Sequence, residues 1–368
     1  MSQILDTGIK NAKNVLRYIY GTGSLKSLDS ILAERRQTDA DYVLYYVDKY
    51  FSGQSSLLDV LPKSPADLLR FVDTDNEPTT DDVNKLRDEI IQNQKGKPSA
   101  IIGIGGGATM DIAKAVSNLL TNGGVAEDYQ GWDLVKVPGI FKIGIPTISG
   151  TGAEATRTCV MTNKKSGLKL GMNSDFTVFD QLILDPDLSR TVPDDQYFYT
   201  GMDAYIHCVE SLAGSYRNAI GDAFSEQTLN LCRQVFLEAD MKSDESRAKL
   251  MVASYMGGCA VATSYVGVLH PFSAGLTVVL GIHHGLANCI TMTAMEEFYP
   301  SQLEEFWRMV EVQKIDIPRG LCRNLTAEQY EQLYLSTIIH EKPLTNALGE
   351  NFKSILTREK VEEIFRRM

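Results

Sequence analysis

The chain has 368 residues and a net charge of −11 at neutral pH, with 43% apolar and 23% charged residues. This composition is typical of a folded globular protein, and the length predicts two domains. The acidic balance, without any cluster of lysine and arginine, disfavours binding to nucleic-acid phosphates or to anionic lipid headgroups. We therefore expect neither a nucleic acid nor a membrane as a partner.

Cysteine usage and the amino terminus indicate the compartment. The six cysteines contain no closely spaced pair of the kind that binds zinc or performs redox work, so we expect them to be reduced: Cys159, Cys208, Cys232, Cys259, Cys289 and Cys322. The first residues lack the basic flank and unbroken apolar segment of a signal peptide. These features predict a cytoplasmic protein.

The first half of the chain alternates β-rich runs with segments of helical period. The strand candidates are 41–48, 68–73, 99–105 and 141–147, and the helix candidates are 79–94 and 108–120. This alternation predicts a parallel sheet wrapped by helices. From about Pro193 the β-rich runs stop and amphipathic segments follow one another, so the second half is predicted to be helical.

A charge-free stretch runs from Leu250 to Met295 and is long enough, on paper, for a membrane-spanning helix. Glycines, Pro271 and three histidines interrupt it, and no window of the stretch is continuously apolar. The stretch is therefore predicted to form buried helices of a globular domain.

Glycines mark a candidate phosphate site at the end of the third β-rich run. The segment "GIGGGATMDIAK", Gly103–Lys114, would place free backbone N–H groups at a helix amino terminus, although glycines also serve packing at such turns. The acidic residue Asp48 precedes this turn, so a standard Rossmann domain fits poorly. A second glycine-rich segment, 145–156, could donate hydroxyl groups to a nucleotide or could satisfy its own loop.

Histidines and one aspartate suggest a metal site. Asp203 and His207 are four residues apart in a helical segment and would share one face. His270 and His284 lie fourteen residues apart in the charge-free stretch, where an unpartnered imidazole would be costly. The alternative for each is a hydrogen-bonded core residue, but together they favour a site for a divalent transition metal.

Four motifs in this order carry a resemblance to a known family: "GGGATMDIAK", "PTISGTGAEATRTCV", "GMDAYIHCVES" and "VLHPFSAGLTVVLGIHHGLAN". They resemble the iron-containing (group III) alcohol dehydrogenases, and the resemblance covers nearly the whole chain. It implies a dehydroquinate synthase-like fold, with an α/β nucleotide-binding domain over 1–192, an all-helical metal-binding domain over 193–368, and an active site in the cleft between them.

The resemblance assigns roles to particular residues. The implied metal ligands, for Fe²⁺ or Zn²⁺, are Asp203, His207, His270 and His284. The implied cofactor contacts are Asp48, Gly106, Gly107, Thr147, Thr156, Lys169 and Leu188. A carboxylate at Asp48 would accept from the ribose hydroxyls and repel a 2′-phosphate, so NAD is expected rather than NADP.

Two positions depart from the family pattern. Many members have a further histidine at the position of Ala274, where a proton relay through that side chain is impossible in this chain. His283, beside the implied ligand His284, is a candidate to replace it as a catalytic group. Ala153 stands where the family commonly has serine, and we expect a small effect.

The implied reaction is oxidation of a primary hydroxyl to an aldehyde by metal-assisted hydride transfer to NAD. The implied partner is a small hydroxylated molecule, and the implied assembly is a homodimer. Dehydroquinate synthase is a related alternative, which Asp203 disfavours because that enzyme has a glutamate as its first ligand. A nucleotide-binding protein without chemistry is an alternative from another class.

The substrate has two candidates. The whole chain resembles the branch that oxidises the C8 hydroxyl of 3-deoxy-manno-octulosonate in lipopolysaccharide sugar biosynthesis. A polyhydroxylated acid needs hydrogen-bond donors and a cation, for which the candidates near the motifs are Tyr199, Tyr205, Tyr216, Tyr255, Tyr265, Arg157 and Arg217. A generic small alcohol or diol is the other candidate.

Overall fold

A computed structural model of the chain describes residues 13–93 and 95–368. The chain divides into two compact units. The first, here called the α/β unit, contains Lys13–Ile148 and Ala153–Arg190, and the second, the helical unit, contains Ser149–Gly152 and Thr191–Met368. The first twelve residues, which fall within the predicted 1–192 domain, and Gln94, the end of a predicted helix, lie outside the described residues.

The α/β unit is built on a parallel sheet. Its strands are β1 (Arg17–Tyr20), β2 (Val43–Asp48), β3 (Leu68–Val72), β4 (Ala100–Gly105), β6 (Lys142–Pro146) and β9 (Gln181–Leu184). The order across the sheet is β1-β9-β6-β4-β2-β3, and the neighbouring pairs are all parallel. The four predicted strands are confirmed as β2, β3, β4 and β6.

The central strands are continuous apolar runs because helices cover both faces of a parallel sheet. All residues of β4, β6 and β9 are buried. The helices of this unit are α1 (Leu28–Ala33), α2 (Ser55–Leu58), α3 (Thr80–Gln92) and α4 (Gly107–Asn122). The two predicted helices are confirmed as α3, which starts at a capping box between Thr79 and Asp82, and α4.

A small second sheet was not predicted. It contains β5 (Gly131–Trp132), β7 (Thr158–Asn163) and β8 (Leu168–Asn173) in the order β5-β8-β7. The antiparallel hairpin of β7 and β8 turns at Gly167, whose φ of 67° lies in the left-handed region. Strand β1 was also not predicted. It is only four residues long and mostly exposed, so it contains no buried apolar run.

The helical unit confirms the predicted change of architecture. Its helices are α5 (Asp194–Ala213), α6 (Ala219–Arg233), α7 (Asp244–Ser264), α8 (Leu269–Leu280), α9 (His284–Met292), α10 (Pro300–Gln313), α11 (Ala327–Ile338), α12 (Glu341–Leu348), α13 (Phe352–Ile355) and α14 (Arg358–Arg366). The charge-free stretch forms most of α7, all of α8 and all of α9. Its apolar residues pack in one core with Phe198, Phe236 and Phe306.

No helix among the described residues is by itself long and apolar enough to cross a membrane. Helices α7 and α8 pass the length and composition test only as a pair, and the pair is bent by 107°.

Gly150 occupies a position in the helical unit that no other residue can fill without rearrangement. Its φ is 141°, which side-chain-bearing residues rarely adopt. A Cβ atom there would overlap the backbone carbonyl of Thr200 on α5. Gly152, with φ of 61°, similarly approaches the backbone of Gly258 on α7. The glycines of the second glycine-rich segment therefore permit close backbone packing onto α5 and α7.

Replacing Gly150 by alanine should lower the free energy of unfolding by about 3 kcal/mol or more. The added Cβ would overlap backbone atoms of Thr200, and alanine would also have to adopt a strained φ. Urea unfolding followed by circular dichroism measures the loss. The matched control is Gly349→Ala, where φ is 81° but no atom lies within 4 Å, so only the conformational cost of about 1–2 kcal/mol applies. Equal losses in the two variants would contradict the steric explanation.

Candidate active site

Helix α5 carries three ionisable residues on one face. Asp203, His207 and Glu210 follow one another at intervals of four and three residues, so their side chains leave the helix on the same side. All three are buried, with exposed fractions of 1%, 6% and 0%. Asp194 and Asp195 in the first turn complement the helix dipole, and the helix ends before Gly214.

Two further helices bring histidines to this face. His270 is the second residue of α8, and His284 is the first residue of α9. Gly281, in a left-handed conformation with φ of 67°, ends α8 and reverses the chain. Gly285 lets α9 approach α5, since a Cβ there would lie 3.1 Å from the carbonyl group of Tyr199.

The ligand-type atoms converge on the Asp203 carboxylate. Its Oδ1 lies 3.2 Å from His270 Nε2 and 3.4 Å from His207 Nε2, and its Oδ2 lies 3.6 Å from His284 Nε2. Ligand atoms of Asp203, His270 and His284 all lie within 4.8 Å of one another. The imidazole of His207 stacks on that of His270, with 4.7 Å between the ring centroids. The structure thus brings together all four residues that the sequence suggested as ligands.

Burial and charge set the protonation of this cluster. Burial lowers the pKa of His207 to about 4, which favours the neutral imidazole. Burial also acts to lower the pKa of His270, but the carboxylates of Glu210 and Asp203 outweigh it and raise the pKa to about 9. Burial would raise the pKa of Asp203, yet the surrounding histidines hold it well below its ordinary value. Asp203 is therefore ionised at neutral pH because of the histidines beside it.

A divalent cation fits this cluster by charge and by ligand type. The ion pairs of Asp203 and Glu210 among the described residues involve only histidines, so two buried negative charges are left without a lysine or arginine partner. An ion of charge +2 balances both. One carboxylate and three imidazoles are ligands that suit Fe²⁺ and Zn²⁺ alike.

The α/β unit gathers a second set of predicted residues at one edge of its sheet. Strands β9, β6, β4 and β2 are neighbours, and the residues just beyond or at their carboxyl ends are Leu188, Thr147, Gly106 and Asp48. The carboxyl edge of a parallel sheet is where open α/β domains bind nucleotides. Asp48 precedes the glycine turn in sequence but lies beside it in space, because β2 pairs directly with β4.

The glycine turn provides the close approach that a phosphate cradle needs. Gly106 is the residue before α4 and Gly107 is its first residue, so the free N–H groups of the helix start here. A Cβ on the preceding Gly105 would lie 2.5 Å from Thr109 Oγ1 and 3.0 Å from Asp48 Cβ. Glycine is required at that point because strand β2 and helix α4 leave no room for a side chain.

The other predicted cofactor residues lie on the segment that leads into β7 and on β8. Thr156 is buried, and its hydroxyl accepts a hydrogen bond of 3.2 Å from Lys114 Nζ. Lys169 is buried on β8, where its Nζ lies 3.2 Å from Glu77 Oε2. The structure therefore leaves Thr156 and Lys169 engaged with protein groups, and their cofactor roles stay a prediction.

The two positions that bear on proton transfer, Ala274 and His283, lie on α8 and just before α9. Ala274 is a buried residue of α8, one turn after His270. His283 is exposed and precedes the first residue of α9, where its backbone carbonyl accepts from Ala287. Its catalytic role is untested and stays a prediction.

Sequence reasoning missed several residues that shape both sites. Glu210 contacts His270 Nδ1, and Asn288 donates to Asp203 Oδ1 at 2.7 Å. Lys114, which is fully buried, donates to the backbone carbonyls of Ala153, Thr156 and Thr158. The signal was helical spacing: Glu210 lies three residues after His207, Asn288 four after His284, and Lys114 seven after Gly107.

Known proteins share these features. The sequence profile of the iron-containing alcohol dehydrogenases matches residues 16–186, and the profile of the carboxy-terminal region of the same family matches residues 197–335. Sulfoacetaldehyde reductase of Bilophila wadsworthia is 31% identical over 277 residues, which cover 74% of this chain and 70% of that protein. The chain belongs to the iron-containing alcohol dehydrogenase family.

Two other matches show how much of the chain the similarity covers. Alcohol dehydrogenase 4 of Schizosaccharomyces pombe is 30% identical over 60% of this chain, and the match spans 52% of that protein. The structure of sulfoacetaldehyde reductase from Bifidobacterium kashiwanohense in complex with NAD⁺ superposes with a TM-score of 0.77 at 22% identity, covering 96% of this chain and 97% of the other. The latter match confirms the predicted fold.

Family membership establishes the class of chemistry. The chain is an alcohol dehydrogenase-type oxidoreductase, and enzymes of this family use NAD and a divalent metal on small alcohols or aldehydes. The prediction of an oxidoreductase is thereby confirmed, and the alternative of a nucleotide-binding protein without chemistry is not supported.

Proposed function

We propose that this protein oxidises the C8 hydroxyl of 3-deoxy-manno-octulosonate to an aldehyde with NAD, in lipopolysaccharide sugar biosynthesis. The observation that carries the proposed chemistry is the buried cluster around Asp203, in which Asp203, His270 and His284 offer ligand atoms to a divalent cation. We assign the ligand roles to Asp203, His207, His270 and His284. When bound, the metal polarises a substrate hydroxyl and NAD accepts a hydride.

The residues of this chain have their own tasks in that reaction. Asp203 offers the anionic carboxylate that the three imidazole Nε2 atoms face, those of His207 and His270 at Oδ1 and that of His284 at Oδ2. Asn288 holds Asp203 Oδ1 through its amide group, which restricts rotation of the carboxylate. The glycine turn at Gly106 and Gly107 presents backbone N–H groups suited to a pyrophosphate, and Asp48 would accept from the ribose hydroxyls.

An aromatic and basic group in the helical unit supports an anionic, polyhydroxylated substrate. Tyr216 and Tyr265 make an edge-to-face contact at 5.5 Å between ring centroids, and Lys342 Nζ lies 4.6 Å from the Tyr265 ring. Tyr265 has φ of 59°, an uncommon conformation for a bulky residue that is often found at functional sites. The group offers hydroxyls and a cation, as a sugar acid requires.

Three other candidates for substrate contacts are bound to carboxylates of the protein. Tyr205 is fully buried and donates to Glu305, so it is a core residue rather than a substrate contact. Arg217 pairs with Asp222, and Arg157 pairs with Asp133 and Asp175. These two arginines are paired within the protein and are therefore less available to a ligand.

A small alcohol or aldehyde is the second candidate substrate, favoured by the names of the relatives. The protein of Bilophila wadsworthia is named for sulfoacetaldehyde, a small molecule that is also an anion, whereas Alcohol dehydrogenase 4 is named for alcohols. The two candidates differ in size and share a terminal carbon that carries the oxygen, and hydride transfer occurs at that carbon.

The homodimer stays a prediction, and one edge of the main sheet supports it. Strand β1 pairs only with β9 among the described residues, so it is an edge strand of the described sheet. Leu16, Tyr18 and Tyr20 are exposed beside that edge, with exposed fractions of 74%, 57% and 44%. Proteins commonly cover an open, apolar strand edge, and a second copy would do so.

Replacing His284 by alanine should abolish stoichiometric divalent metal and, with it, dehydrogenase activity, because one of four ligands is lost. Metal analysis of protein purified without chelator, together with NADH absorbance, measures both. The control is His340→Ala, in the segment before α12, which should retain the metal. Full metal content in the His284 variant would exclude this ligand set.

Replacing Asp48 by glycine should narrow the preference for NAD over NADP, because a carboxylate at this position repels a 2′-phosphate. The preference is measured as the ratio of kcat/KM for the two cofactors, and metal content should be unchanged. Asp73→Gly, at the end of the neighbouring β3, is the matched control for removing a surface carboxylate near this edge. An unmodified protein that used both cofactors equally would refute the role of Asp48.

Turnover of 3-deoxy-manno-octulosonate should exceed that of ethanol, 1,2-propanediol, glycerol and 2-hydroxyethanesulfonate, the alcohol that corresponds to sulfoacetaldehyde. The assay uses metal-loaded protein with NAD and a trap for the aldehyde, and mass spectrometry locates the new aldehyde at C8. Lys342→Met should raise KM for the sugar acid more than for ethanol, since only the acid needs the cation. Efficient turnover of the simple alcohols without turnover of the sugar acid would overturn the assignment.

A further inference from the structure

Glu210 is a fully buried carboxylate that is not among the four residues assigned as metal ligands. Its Oε2 contacts His270 Nδ1, and its Oε1 accepts from the backbone N–H of Leu269 at 2.5 Å. The hydroxyl of Tyr299 lies 3.5 Å from the same Oε1. One carboxylate therefore binds both the first backbone N–H group of α8 and the histidine side chain that α8 presents to Asp203.

The surroundings of Glu210 are packed closely. A Cβ on Gly267 would lie 3.2 Å from Glu210 Oε1 and 2.8 Å from the Tyr299 hydroxyl. That hydroxyl in turn accepts from the backbone N–H of Val268 at 3.4 Å. Three consecutive residues at the start of α8 are thus held by Glu210 or by its neighbour Tyr299, and the glycine before them leaves the space that this contact needs.

We propose that Glu210 is a positioning residue for the metal centre, an inference that rests on the proposed metal role of His270. By accepting from Nδ1 it would favour, when a metal is bound, the tautomer of His270 whose Nε2 binds the ion; this Nε2 lies 3.2 Å from Asp203 Oδ1. It also contributes the second buried negative charge, which makes the cluster suited to an ion of charge +2.

Both effects depend on the carboxylate and are lost in an amide. In Glu210→Gln, the amide oxygen can still accept from the Leu269 N–H group, but the NH₂ group then faces His270 Nδ1 and cannot accept from it. The negative charge is also removed. Loss of such a partner behind a metal-binding histidine weakens metal affinity by about 10- to 100-fold.

The test compares metal binding by Glu210→Gln with that of a matched variant, Glu305→Gln. Glu305 is also a partly buried carboxylate of the helical unit, bound by Arg233 and Tyr205 and absent from the metal cluster. Competition of the full-length apoproteins with a chromophoric chelator gives the Zn²⁺ and Co²⁺ dissociation constants. The visible spectrum of the Co²⁺ forms reports the ligand geometry, and Tm is measured with and without Zn²⁺.

We expect the Glu210→Gln protein to bind both ions at least tenfold more weakly, with an altered Co²⁺ spectrum and a smaller rise in Tm on adding Zn²⁺. The Glu305→Gln protein should keep the unmodified affinity. A purely structural role of Glu210 would instead lower Tm equally in the apo and Zn²⁺ forms and leave both dissociation constants unchanged, which would overturn the proposal.

Glu210→Asp provides the test if the glutamine variant does not fold. It keeps the charge but is one methylene shorter, so it cannot reach both Leu269 and His270 as Glu210 does, and its metal affinity should also fall. Unmodified affinity in Glu210→Asp would then overturn the proposal. The outcome is distinguishable from failure of the proposed metal site itself, because in that case His284→Ala would retain metal whatever Glu210 does.

Discussion

Two negative charges on one buried face of α5 have to be compensated inside the helical unit, where no water can solvate them. Asp203 and Glu210 are separated by two helical turns and are almost completely excluded from solvent. Isolated buried carboxylates are strongly unfavourable, so groups of opposite charge must lie against them. His270 lies against both carboxylates, and His207 and His284 lie against Asp203, so the packing of α8 and α9 on α5 brings these partners into place.

Small residues make that arrangement sterically possible. Gly267 gives Glu210 its place beside the start of α8, and Gly285 allows α9 to contact the backbone of α5 next to His284. Gly150 and Gly152 likewise allow the backbone of their segment to pack closely on α5 and α7. The ionisable residues define the chemistry of the cluster, and the glycines bring the backbones close enough for these short side chains to meet.

Much of this organisation was predictable from sequence, for identifiable reasons. Buried parallel strands are continuous apolar runs, so β2, β4 and β6 were apparent, and the change to helical period near Pro193 was equally clear. The four candidate ligands could be proposed because imidazoles are rare in this chain and have few uses in a charge-free stretch. The short exposed strand β1 and the polar hairpin of β7 and β8 have no such periodic signal.

Other features depend on spatial neighbours that no local pattern reveals. Asp48 looked misplaced for a nucleotide site because it precedes the glycine turn, and only the pairing of β2 with β4 brings the two together. Glu210 was overlooked because glutamate on a helix is usually a surface charge. Its role follows from Leu269 and His270, about sixty residues later in the chain.

The buried ammonium group of Lys114 has a consequence for how the chain can vary. Its hydrogen bonds to Ala153 and Thr158 go to backbone carbonyls, and so does one of its bonds to Thr156. Hydrogen bonds to backbone carbonyls do not depend on which side chains the accepting residues carry. Because Lys114 binds the backbone carbonyl of residue 153, the side chain at that position takes no part in the hydrogen bond. The side chains of this segment can therefore vary, and with them the surface offered to a ligand, while the hydrogen bonds from Lys114 to its backbone persist.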